Sequence, residues 1–180
     1  MTDEPQTDVV VHGHRLRRVH GRLDLSTAQA IIGLWLSQRV LSAAEAERRV
    51  HEVVYAAFNP AGELVGVNTV YLANRPDDGR PYWFYRTFLR PDARGAPALP
   101  RSMLALTIDY LRAEARRSAA APAGLMIVTE NPKLMQRAAR AVLHGLGLQP
   151  LGKDPRGRDV WCLLFDGSTP SAPSSSGTTQ

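Results

Sequence analysis

The segment Tyr82–Arg117 reads Y-W-F-Y-R-T-F-L over 82–89, R-P-D-A-R-G-A-P-A-L-P over 90–100 and R-S-M-L-A-L-T-I-D-Y-L-R-A-E-A-R-R over 101–117. The first part is rich in aromatic residues and predicts a strand. The second is punctuated by Pro and Gly and predicts a tight connection. From Arg101 onward, Leu104, Thr107, Ile108, Leu111 and Ala115 recur at helical spacing, so the third predicts an amphipathic helix. A strand that feeds a short loop into a helix directs unused backbone N–H groups and the positive end of the helix dipole at one point. Arg90, Arg94 and Arg101 surround that mouth with positive charge. The combination predicts an anion site.

Upstream, Val9–Val11 and Leu16–Val19 predict one or two short strands interrupted by H-G-H, after a polar, acidic segment 1–8 expected to be disordered. Ser26 is the expected cap of a first helix, with Gln29 three residues on as in a capping box. Ser42 opens a second, in which acids precede arginines as the dipole prefers. Val50–Phe58, the turn N-P-A-G and Glu63–Leu72 predict a hairpin. Downstream, the apolar run at 124–129 predicts a buried strand, and Asn131-Pro132 opens a helix to about Leu146. Val160–Phe165 is the expected last strand, and the Ser/Thr/Pro/Gly tail 167–180 is too poor in apolar groups to order itself. Antiparallel hairpins followed by helix-linked strands predict an α/β or α+β fold, a mixed sheet flanked by helices, in one domain over 9–166.

The 180 residues are 44% hydrophobic, enough for one sizeable core. No apolar run has the length of a membrane span, and M-T-D-E-P-Q-T-D has no basic or apolar leader region, so the cytoplasm is the expected location. Cys162 is the only cysteine and Lys133 and Lys153 are the only lysines; the formal net charge of +5 suits an anionic ligand, nucleic acid included. No aromatic-plus-basic RNA motif accompanies that charge, and the arginines are spread along the chain, which places nucleic acid last among the expected partners. His12-x-His14 has no Cys or carboxylate cluster to complete a metal site, so none is expected.

The element order together with F-L-R-P-D-A-R-G-A-P-A-L-P-R-S-M-L (88–104) resembles the GNAT superfamily of N-acetyltransferases. Leu89, Pro91, Arg94, Gly95 and Ala96 fall on that family's pattern before its long helix, Asn131 follows the strand L-M-I-V-T, and H-G-L-G-L-Q-P-L-G (144–152) is similar to its closing helix end and hairpin. Three positions depart from the pattern. Pro97 and Leu99 stand where small residues belong, Pro97 and Pro100 carry no N–H, and Leu143 occupies the place of a frequent acid tyrosine.

The resemblance implies a cytoplasmic N-acetyltransferase that moves an acyl group from acetyl-CoA, or another acyl-CoA, to a primary amine on a small molecule or peptide. Arg94, Gly95 and Ala96 would hold the diphosphate with Arg90, while the backbone of Phe88 and Leu89 and the side chain of Asn131 would face the pantetheine arm. Side chains alternate along a strand, so either Tyr85 or Arg86 would line the substrate groove, with an ion pair the other reading of Arg86. Glu130 is the candidate base, with Glu52 beside it in the reckoning, and His144 the candidate acid in place of the missing tyrosine. The departures leave a non-catalytic acyl-CoA-binding protein of the same fold as the alternative, and a homodimer is left open.

Overall fold

The computed structural model describes residues 8–75, 77–95, 98–118, 120–129 and 136–170. Its strands are β1 (Val9–Val11), β2 (His14–Arg18), β3 (Val53–Phe58), β4 (Leu64–Asn74), β5 (Pro81–Leu89), β6 (Gly124–Val128), β7 (Gln149–Lys153) and β8 (Asp159–Leu164). The helices are α1 (Leu25–Ser37), α2 (Ala43–Arg49), α3 (Ala98–Ala115) and α4 (Arg137–Gly145). The strands are hydrogen-bonded in the order β1-β2-β3-β4-β5-β6-β8-β7. The β5–β6 pairing is parallel, whereas β1–β2, β2–β3, β3–β4, β6–β8 and β7–β8 are antiparallel. The fold is thus a mixed, mostly antiparallel sheet flanked by helices.

Contacts divide the chain into two compact units, Met1–Val70 with Arg86–Asp109 and Tyr71–Tyr85 with Tyr110–Gln180, each described here over its described residues. In the first, Ile31, Leu34 and Trp35 recur at helical spacing on α1 and are buried. With Val19, Ala46, Val50, Val53, Ala56 and Val67, Ile31 and Trp35 form a core against which Phe58 and Phe88 also pack. Full burial of each large side chain contributes about 1.5–3 kcal/mol.

A polar lock sits inside this unit. β3 carries one residue more than its partner strand here, because Val53 pairs with Thr69 and Tyr55 with Asn68. Such a bulge interrupts the ladder and needs substitute partners. Asn68 Oδ1 accepts the Tyr55 N–H at 2.8 Å, and the carbonyl of the extra residue, Val54, accepts the Val19 N–H at 2.9 Å. On its other side Asn68 Nδ2 donates to Thr107 Oγ1 at 2.6 Å, and Thr107 Oγ1 donates to the Met103 carbonyl at 2.8 Å. Asn68 and Thr107 are both fully buried. The bulged β3, β4 and α3 are therefore joined through one amide side chain.

Gly66 on β4 is a second close fit. A Cβ there would lie 2.3 Å from Leu89 Cδ2 and 2.7 Å from the Phe88 carbonyl oxygen. Without one, β4 and the end of β5 meet closely, and the Arg90 N–H donates to the Val65 carbonyl at 2.8 Å.

In the second unit, Tyr82, Met126, Leu151, Cys162 and Leu164 form a buried cluster. Burial pushes the Cys162 thiol up to about 11, so it is a core thiol at neutral pH. Asp159, almost fully buried, is held by Lys153 at 2.7 Å and Arg140 at 2.5 Å, and these two hydrogen-bonded cations keep its carboxyl below the usual range. The β5–β6 register in this unit consists of Trp83–Leu125, Phe84–Met126 and Tyr85–Ile127.

Several boundaries differ from expectation. The cap of α1 is Asp24, not Ser26; Asp24 Oδ1 accepts the Ser26 hydroxyl at 2.6 Å and the Thr27 N–H at 2.8 Å. A free-standing carboxylate outcompetes a hydroxyl for the same N–H groups. Ser42 does cap α2. Val50–Glu52 is a single 3-10 turn and the strand starts at Val53. The long helix starts at Ala98 rather than Arg101, because proline is tolerated in a first turn where its missing N–H has no helical partner. Gln149–Lys153 is a strand paired with β8, so the chain closes on a hairpin. Helix α4 runs Arg137–Gly145 with Gln136 at its N-cap, and residues 130–135, where the helix is expected to open at Asn131-Pro132, lie outside the described ones.

Asn68→Ala removes the acceptor of the Tyr55 N–H and the partner of Thr107, and lowers unfolding free energy by about 2–3 kcal/mol in urea titration. Gly66→Ala forces β4 from the end of β5 at a cost of about 1–3 kcal/mol, read by the same titration.

Candidate functional site

In the first unit, β5 leads through Arg90 into a single 3-10 turn, Pro91–Ala93, then Arg94 and Gly95, and α3 begins at Ala98. Pro91 opens the turn with its φ already fixed, and the Ala93 and Arg94 N–H groups donate to the carbonyls of Arg90 and Pro91 at 3.0 and 3.3 Å. Leu99 and Met103 are fully buried, which anchors the first turns of α3 in the core. Leu99, out of place in the family pattern, is thus a core residue here.

The N–H groups of Arg90, Ala93 and Arg94 are used by the protein. Pro97 and Pro100 have none. Among the described residues, no acceptor faces the N–H groups of Gly95, Ala98 and Leu99. Ala98 and Leu99 open α3, where the positive end of the helix dipole lies.

The arginines of the loop divide into two kinds. Arg90 is committed: Nε donates to Asp92 Oδ1 at 2.8 Å, and a terminal nitrogen donates to Asp92 Oδ2 at 2.6 Å and Glu63 Oε2 at 3.2 Å. The Arg90 hydrogen bonds hold the Asp92 carboxyl below its ordinary range; Glu63 is lowered first by Asn59 and then by Arg90. Both carboxyls are depressed, so the clip persists at neutral pH and is lost only as pH falls below the ordinary carboxylate range. Arg94 is different. Its Nε donates to the Leu89 carbonyl at 2.9 Å, and no carboxylate pairs with it among the described residues. Arg94 and Gly95 are exposed, and Arg101 is an exposed cation three residues into α3.

Among the candidate acid–base and groove residues, the structure brings Glu52 and Arg86 together. Glu52 ends the turn before β3, and its Oε2 accepts from Arg86 on β5 at 3.1 Å while Oε1 accepts from Arg48 on α2 at 3.2 Å. The Glu52 and Arg86 side chains are 16% and 28% exposed, so the pair is reachable by solvent. Tyr85 is buried in the second unit. His144, also in the second unit, is exposed and sets its ring 4.9 Å from that of Trp161 at 82°, an edge-to-face contact. Leu143 beside it is buried. Ala96, Glu130 and Asn131 lie outside the described residues. Among the described residues no group of His, Cys, Asp or Glu could hold a metal ion, and no helix is long and apolar enough to cross a membrane.

Three features escaped sequence reading: the Asn68–Thr107 lock, the Gly66 contact and the Glu63–Arg90–Asp92 clip. Only the clip left a local signal, in the spacing of Arg90 and Asp92. The other two join residues 35 or 39 positions apart, or depend on the approach of two backbones.

No family model matches the chain, and no curated protein matches it. Solved structures do. A phosphinothricin acetyltransferase of the GNAT superfamily from Sinorhizobium meliloti, in complex with AcCoA, superposes with a TM-score of 0.63 at 13% identity, over 92% of this chain and 96% of that one. A ribosomal-protein-S5-alanine acetyltransferase from Vibrio fischeri gives a TM-score of 0.61 at 12% identity, over 91% and 100% of the two chains. A GNAT-family acetyltransferase from Streptococcus pneumoniae gives 0.54 at 12% identity, over 84% and 99%. The chain has the fold of the GNAT-superfamily acetyltransferases.

Proposed function

We propose that this protein is an acyl-CoA-dependent N-acyltransferase, with acetyl-CoA as donor and a primary amine as acceptor. The observation that carries the reading is the set of N–H groups at Gly95, Ala98 and Leu99 with no acceptor among the described residues, beside an Arg94 with no carboxylate partner among them. Such a set fits a diphosphate, because oriented amides and a guanidinium are the donors that phosphate oxygens take. The fold shared with acetyltransferases supports the same ligand class.

In this reading Arg94, Gly95 and Ala96 bind the diphosphate, and Asn131 with the backbone of Phe88 and Leu89 holds the arm. Arg90, clipped to Asp92 and Glu63, shapes the loop instead of binding. The donor supplies a thioester carbonyl open to attack by nitrogen. The protein's part is to hold an amine beside it, polarise the carbonyl with a backbone N–H, and accept the amine proton. Glu52, Glu130 and His144 are the titratable candidates, with Glu52 preferred because it already faces Arg86 on β5. One observation favours a second reading, a non-catalytic acyl-CoA-binding protein: Leu143, where a proton donor belongs, is buried and cannot ionise.

Calorimetry with acetyl-CoA tests the reading. Arg94→Ala weakens binding about tenfold or more with the fold retained by circular dichroism, whereas unchanged affinity would place the phosphates elsewhere. Release of free CoA thiol in the presence of an amine panel separates the enzyme from the binding protein.

A further inference from the structure

The charge pair Arg86–Glu52 lies on the strand that enters the proposed diphosphate loop. Going back along β5 from Arg90, Arg86 is the first charged side chain. At the strand rise it stands roughly 13 Å from Arg90. A donor arm running back from the loop along β5 brings its acyl end toward this pair, a deduction that rests on the proposed function. Phe88, on the same face two residues on, packs against the α1/α2 core, so the apolar wall beside the pair is in place.

A cation on a strand of aromatic residues needs an anion. Glu52 supplies one, with its two oxygens divided between Arg86 at 3.1 Å and Arg48 at 3.2 Å. The pair is half-buried rather than sealed, so a ligand with both charges can replace each partner by its own group. The guanidinium and carboxylate are in direct contact, so the matching ligand carries its ammonium and carboxylate close together. An α-amino acid, in which one carbon separates them, meets that requirement.

We infer that the acceptor is a free α-amino acid, its carboxylate held by Arg86 and its ammonium by Glu52. Glu52 takes one proton from the ammonium. The neutral nitrogen forms a C–N bond to the thioester carbonyl carbon as the C–S bond breaks with its electron pair leaving on sulfur. A second proton passes from nitrogen to that thiolate. The products are an N-acyl amino acid and free CoA thiol, with one proton remaining on Glu52 to be lost to solvent.

The test measures binding and turnover of the standard L-amino acids, each beside the amine that remains when its carboxylate is removed. Calorimetry without donor gives binding, and thiol release with acetyl-CoA gives turnover. At least one amino acid binds, and its decarboxylated amine binds about tenfold to a hundredfold more weakly. Arg86→Gln abolishes that difference while acetyl-CoA affinity stays unchanged, and Glu52→Gln lowers kcat with the amino acid while leaving its carboxylate preference. Equal binding of amino acid and amine, or a preference that survives Arg86→Gln, overturns the inference and leaves the donor assignment standing. Binding of acetyl-CoA with no turnover of any amino acid overturns it as well. Failure of acetyl-CoA to bind overturns both.

Discussion

Asn68 is the point on which the first unit turns. A bulge in β3 leaves ladder groups to be satisfied in a dry interior, where an unpaired N–H costs about 1–3 kcal/mol. Asn68 answers the Tyr55 N–H with its oxygen and reaches α3 with its nitrogen, through Thr107 and the Met103 carbonyl. One side chain therefore fixes both a distorted strand and the helix whose first turn carries the unused amides. The proposed site depends on that geometry, since a helix N-terminus presents donors usefully only if the helix is held in place relative to the strand before it. Gly66 contributes the other half, letting β4 lie against Phe88 and Leu89 where β5 ends.

Much of this was legible in the sequence. The aromatic run at 82–89, the Pro/Gly connection and the helical spacing of Leu104, Ile108 and Leu111 gave strand, loop and helix in order, because each is a local pattern written in consecutive residues. Chain ends of elements were less legible, since they rest on competition between neighbours: Asp24 takes the cap from Ser26, and Pro100 is absorbed into the first turn of α3 instead of terminating the loop. The lock through Asn68 and Thr107 was invisible, because polar residues in strand and helix show no period that marks them as partners. The arginines at 90, 94 and 101 predict an anion site, yet Arg90 is paired with Asp92 and Glu63, and charge alone does not separate it from Arg94.

The distribution of charge in the first unit follows one logic. Guanidinium groups that serve the fold are each matched to carboxylates: Arg48 and Arg49 to Glu45, Arg90 to Asp92 and Glu63. Exposed pairs of this kind contribute little to stability, on the order of 0–1 kcal/mol. Their value lies in fixing where the loop sits, and in leaving Arg94 and Arg101 as cations at the start of α3 with no carboxylate of their own among the described residues. The two prolines at 97 and 100 carry no N–H, so in the proposed site the loop would rely on fewer amides and more on a guanidinium than a glycine-rich loop would. That composition favours a multiply charged anion over a neutral ligand.

The most direct test is a nitrogen-15 NMR titration of the whole chain with acetyl-CoA, following backbone amides residue by residue. The resonances of Gly95, Ala98 and Leu99 are expected to move furthest and saturate together, while the amides of Ala93 and Arg94, already bonded within the turn, move less. Saturable shifts elsewhere with those three resonances unmoved would contradict the proposed site.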